Sequence, residues 1–203
     1  MKLRTILISL AILGGLVFMT YKIRDANSAP LPEGFPAPTS SGSIEVKSYP
    51  AYKEATYLVQ GDLARANQKA FYPLYQHISS NNIAMTAPVE ARYPSSTLDG
   101  NVNLQGETRV SFLYRNTSIY PKEVVENIKI ENIPAMTVVS LGRKGDYSYQ
   151  SYQEGIAKLK DWLKKHPQYQ IVGLPRRFFY DGPYIPDTLK HSEIQIPIKK
   201  TKL

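Results

Sequence analysis

The side chains able to do chemistry are few and scattered. The chain has no cysteine, which excludes thiol catalysis, disulfides, cysteine-built zinc sites, iron–sulfur clusters and covalent c-type haem attachment. Its three histidines, His77, His166 and His191, are far apart and form no HExxH pair, so a histidine-built metal site would have to assemble from distant positions. No GxSxG elbow brings a serine, a histidine and an acid together, and neither GxGxxG nor a P-loop occurs. What remains is soft and aromatic. Met85 carries a thioether that packs well on a flat macrocycle and equally well in a core. His77 falls near the edge of a helical apolar stripe, where it reaches a cleft or rides at the surface. His166, at a helix end before Pro167, suits a dipole partner, and His191 lies by a loop. Glu193 opens an apolar strand, where a lone carboxylate needs a partner or titrates upward; a satisfied structural acid is the simpler reading. The fifteen tyrosines can pack against a ring or fill a half-buried sheet.

The elements that must position these residues come in two copies. Residues 44–62 align without a gap on 128–146, an offset of 84, with Pro50/Pro134, Gly61/Gly145 and Asp62/Asp146 among the identities. Each copy reads strand, proline break, strand, Gly-Asp and a helix that the Asp caps. Leu63, Ala66, Ala70, Leu74 and Ile78 form an apolar stripe in the first helix, with Phe71 and Tyr75 alongside; Tyr149, Tyr152, Ile156, Leu159 and Leu163 form it in the second. Pro73, inside the first, predicts a kink or an early restart. Two further apolar runs follow each helix, and Val110, Phe112 and Tyr114 recover the offset of 84 against Ile194, Ile196 and Ile198. The unit is therefore strand-helix-strand-strand. Since one unit leaves its sheet edges open, two are expected to pair into a single α+β body: a curved or barrel-like, mostly antiparallel sheet with two helices packed outside and a cleft at the axis between the halves.

The N-terminus reads differently. Thr5 to Tyr21 is an uncharged stretch of seventeen residues preceded by Lys2 and Arg4, near the lower limit for crossing a bilayer. Residues 1–24 are expected as a signal anchor, with a signal peptide cleaved near Ala26 and Ser28 as the alternative. The Pro- and Ser-rich residues 25–43 are expected as an extended tether and 44–203 as the domain, its repeats spanning about 44–115 and 128–198. Export would put the domain on the periplasmic or extracellular side of the membrane, or free it as a secreted protein. The net charge of +8 is scattered rather than gathered on a recognisable motif, so solvated faces are expected and a nucleic-acid partner is not.

At IAMTAPV, residues 83–89, the sequence resembles the SOUL/haem-binding protein family, together with IEVKSYPAY at 44–52, NIPAMTVVSL at 132–141 and YDGPYIPDTLKHSEIQIPI at 180–198. The resemblance implies an eight-stranded distorted sheet or barrel with two helices and, for function, reversible non-covalent binding of haem or a related tetrapyrrole in a shallow apolar cleft, without catalysis. Met85 and His77 are the candidate contacts. Competing classes are a small-molecule hydrolase or sensor using the same cleft, and an anchored scaffold with no small ligand.

Overall fold

Proline and glycine divide each copy where the repeat places them. The computed structural model describes residues 29–99 and 104–201; the expected membrane segment at 1–24 lies outside them. β1 (Ile44–Tyr49) stops at Pro50 before β2 (Tyr52–Asp62), and β5 (Ile128–Ile133) stops at Pro134 before β6 (Met136–Lys144). Gly61 and Gly145 both take positive φ, 107° and 126°, a conformation that side chains with a Cβ rarely adopt. In the first copy Asp62 then caps a 3-10 turn by accepting the Ala64 N–H, and α1 (Ala66–Ser80) follows. In the second the cap moves two residues on: Asp146 accepts the Ser148 N–H, and the Ser148 hydroxyl accepts that of Ser151 to start α2 (Tyr149–Lys164). α1 runs unbroken through Pro73, without the restart that residue suggests. β3 (Val89–Arg92) and β4 (Gln105–Leu113) complete the first unit; β7 (Tyr169–Ile171), β8 (Arg176–Phe179) and β9 (His191–Lys200) complete the second.

Among the described residues all strands join one sheet in the order β1-β6-β9-β8-β3-β4-β2-β5, with β7 also paired to β9. β7 makes nine strands where eight were expected, and the sheet stays open instead of closing into a barrel, β1 and β5 being its two ends. Exchanging the two units reverses this order onto itself. The registers agree: Ile44 faces Leu141 and Ile128 faces Tyr57, the same pairing moved by 84 residues. Each unit thus lends its first strand to the other, and the pseudo-twofold axis passes through the central β3–β8 pair, where Ala91 faces Arg177.

Both helices lie on one face. Leu63, Ala66, Ala70, Leu74 and Ile78 of the first stripe and Tyr149, Tyr152, Ile156 and Leu159 of the second are buried against Val110, Phe112, Val139, Leu141, Ile194 and Ile196. Burying each large side chain contributes about 1.5–3 kcal/mol, which makes this the principal core. Gly155 lets α2 approach β9 closely: a Cβ there would stand 2.2 Å from Ile194 Cδ1.

The opposite face is polar yet buried. Glu54, Glu90, Arg176, Glu193 and Gln195 are almost wholly inaccessible there. Arg92 binds both Glu54 and Glu90, and Arg176 donates to Glu90 at 3.2 Å and to the Tyr52 hydroxyl at 2.8 Å. Burial and the Glu90 charge raise the Glu54 carboxyl above its ordinary range. Burial acts on Glu90 in the same direction, but Arg92 and Arg176 outweigh it and hold that carboxyl below its ordinary range.

This face is covered by a segment expected to be a tether. From residue 29 onward the Pro- and Ser-rich stretch is docked on the sheet, so the folded domain begins well before Ile44. Pro30 O accepts the Ala87 N–H, Glu33 N donates to Arg115 O, and Ser41 bridges to Gly142. Phe35 meets the rings of Tyr49 and Tyr52 edge-on at 4.9 and 5.3 Å. Thr39 N donates to Glu193, and Lys47 Nζ binds both Ala37 O and Glu193 Oε1, at 2.7 and 2.8 Å. Gly142 is required beneath this strap, because a Cβ there would lie 2.3 Å from backbone oxygens of Thr39 and Ser40.

Candidate functional site

Where the axis meets the helical face, the two helices part over β3 and β8. The gap is a cleft of about 680 Å³, within the range of about 300–1,000 Å³ typical of small-molecule sites. The start of the first helical segment supplies Ala64, Asn67 and Phe71; the approach to α2 and its first residue supply Tyr147 and Tyr149; Val89, Tyr93, Phe179 and Tyr180 line it from the central strands and their ends. The 83–89 signature contributes Met85, Thr86, Ala87 and Val89. The loop 181–185 forms the mouth, with Tyr184 at 96% exposure, and Lys190 stands beside it.

Met85 lines this cleft, half-buried and packed against the principal core. His77 does not line it. The expectation of an edge or surface position is corrected: His77 is fully buried, its Nε2 lying 2.8 Å from the Tyr114 hydroxyl. Asn81 explains the burial, since its side chain bonds to the carbonyl of His77 and, at 2.9 and 3.0 Å, to the backbone of Glu123, folding the 119–125 loop over that flank of α1. Burial also lowers the imidazole pKa from its ordinary value, which favours the neutral ring. His166 stacks on Trp162 with centroids 3.8 Å apart and bonds to the Trp162 carbonyl, and His191 pairs with Asp181 at 3.5 Å. Among the described residues no group of three or more metal-ligating side chains gathers.

Glu193 is a satisfied structural acid on the far face, away from the cleft. Burial alone would raise its carboxyl, but Lys47, with further hydrogen bonds, more than offsets this and holds it below its ordinary value.

A family model described as SOUL heme-binding protein matches residues 36–197. The chain belongs to this family. Within the SOUL fold the likenesses to solved structures are more distant. The C-terminal domain of EcmrR is 20% identical with TM-score 0.62, over 78% of this chain and 98% of that one. EcmrR in its cryo-EM complex with DNA is 21% identical with TM-score 0.63, and the match spans 58% of that longer chain. A hydrolase from Listeria innocua is 12% identical with TM-score 0.55, over 80% of this chain and 94% of that one. At these identities the likeness shows the shared fold alone. No curated protein matches the chain.

Two lining residues that the sequence reading does not single out are Asn67 and Tyr149. Asn67 Oδ1 and the Tyr149 hydroxyl are buried without a hydrogen-bond partner. Tyr149 counts in the sequence as one more member of a helical stripe, and periodicity says nothing of where its hydroxyl points.

Proposed function

We propose that this SOUL domain binds haem or a related tetrapyrrole, non-covalently and without catalysis, in the cleft on its pseudo-twofold axis. The observation that carries the reading is the coincidence, at one place, of the 83–89 segment with an aromatic-lined cleft of suitable size. The donor set fits a macrocycle held by its faces: Phe71, Tyr93 and Phe179 offer rings, Met85 a polarisable thioether, and Lys190 a cation at the mouth for a propionate. Burying about 200 Å² of macrocycle face at roughly 25 cal/mol/Å² contributes on the order of 5 kcal/mol before the cost of association, so micromolar affinity is the natural scale.

The test is a titration of the full chain with haemin, followed in the Soret band. Saturable micromolar binding is expected, unchanged in His77→Gln, which keeps a polar group facing Tyr114. Loss of binding in a folded His77→Gln protein would make that ring an axial ligand and overturn the histidine-free site.

The reading includes a membrane tether on the exported side, motivated by the uncharged stretch from Thr5 to Tyr21 and its basic flanks. Among the described residues no helix is long and apolar enough to cross a membrane, so this proposal rests on the sequence before residue 29. Fractionation is expected to place the full chain in membranes and a chain starting at residue 25 in the soluble fraction. Full-length protein free of membranes would contradict the tether.

A further inference from the structure

Native proteins satisfy nearly all buried polar groups, so each exception asks for a partner. Among the described residues the cleft has two, one from each side: Asn67 in the first turn of α1 and Tyr149 in the first turn of α2. Tyr149 is 8% exposed, and its ring is fixed by Tyr152 and Tyr93 at 5.5 and 6.0 Å. Four other polar groups in the lining are already engaged. Thr86 donates to Leu113 O, Tyr147 to His191 O, Lys190 binds Asp187, and Asp181 accepts the His191 N–H.

The charge beneath this part of the cleft points to the kind of partner. Arg177, at the pseudo-twofold axis, is wholly buried, yet its hydrogen bonds go to Ser148 O, Asp146 O and the Ser192 hydroxyl, and its Nε has none. The guanidinium lies 5.3 Å from the centre of the Tyr147 ring and 5.1 Å from that of Phe179, both of which line the cleft. Burial lowers its pKa, and Tyr93, Tyr147 and Asp146 offset this only in part. Among the described residues no carboxylate comes within ion-pair distance of this guanidinium, whose direct contacts are carbonyls, a hydroxyl and ring faces, and Asp146 acts on its charge only from further away.

We propose that Asn67 and Tyr149 form a polar clamp for an ionised carboxyl group of the ligand, which enters the cleft carboxylate first, towards Arg177. The Tyr149 O–H donates one hydrogen bond, and a half-turn of the Asn67 amide presents its Nδ2–H as a second donor. The inference rests on the proposed tetrapyrrole site and adds its polarity: one propionate is held inside, while Lys190 meets groups at the mouth.

Haemin and haemin dimethyl ester, titrated into the full-length wild type, Tyr149→Phe and Asn67→Ala under one detergent condition, separate the two ideas. The clamp predicts that the wild type binds the diacid about tenfold or more tightly than the ester, the scale of a hydrogen bond to a charged group. Tyr149→Phe is expected to lose about that factor for haemin and to bind the ester as the wild type does, with Asn67→Ala following the same pattern more weakly. If both ligands bind all three proteins equally, the tetrapyrrole site stands and the clamp is wrong, its polar atoms being met by water. If neither ligand binds any of them, the site itself fails and the clamp falls with it.

Discussion

A chain that begins at residue 44 is expected to be unstable, whereas one that begins at residue 29 melts cooperatively. The difference is fifteen residues that resemble a linker in composition. Their removal strips Phe35 from Tyr49, Tyr52 and Phe178, takes the Thr39 N–H from Glu193, and opens the polar face of the sheet to water. Phe35→Ala alone should cost about 2 kcal/mol, below the usual range for a buried phenylalanine because the ring is half-buried. The whole deletion should exceed about 5 kcal/mol, comparable with the stability of a typical domain. Thermal melts of the two truncations decide the matter, and equal midpoints would show that the strap only rests on the domain.

Lys47→Met should destabilise the domain by about 3–5 kcal/mol, because it leaves the buried Glu193 carboxylate without its ion-pair partner. The sign with pH follows from the shifts. In the wild type Glu193 is held below its ordinary value, so its contribution is present above the ordinary carboxylate range and is lost as pH falls below it. Without Lys47, desolvation dominates and the carboxyl rises, so the variant's stability should fall as pH climbs through that range toward neutrality. The Lys47→Met deficit should therefore be smaller at about pH 5 than at about pH 8, and adding Glu193→Gln should recover most of the loss at about pH 8. Denaturant melts at the two pH values read this directly. A Lys47→Met deficit that does not change with pH would contradict the account.

Both results turn on the part of the fold that sequence conveys least. The helices and their buried faces were legible because a 3.6-residue period leaves a one-sided stripe, and the duplication was legible because Gly-Asp and the proline recur at a fixed offset. That each unit lends its first strand to the other was not, since a repeat specifies pairs but not which copy supplies each partner. Alternation in β9 suggests one apolar and one polar face, and solvent is the ordinary partner for the latter. Here the strap covers that face, and its one aromatic residue, Phe35, gives no periodic signal. His77 was misplaced for a similar reason: its angle from the stripe centre is correct for an isolated helix, but the 119–125 loop adds a second surface that encloses it. Of the site, the Met85 segment was legible as a signature, whereas Asn67 and Tyr149 acquire meaning only through buried atoms left without partners.

The most direct test of the cleft as the haem site is a haemin titration of Ala64→Trp beside the wild type. Ala64 is exposed at the cleft wall and outside the principal core, so an indole there should fill the opening without disturbing the fold. The account predicts an unchanged melting midpoint and haemin affinity weakened by about tenfold or more, tenfold being the scale expected when about a quarter of the macrocycle face loses its contacts. Wild-type affinity in Ala64→Trp would place haem elsewhere on the protein and contradict the assignment.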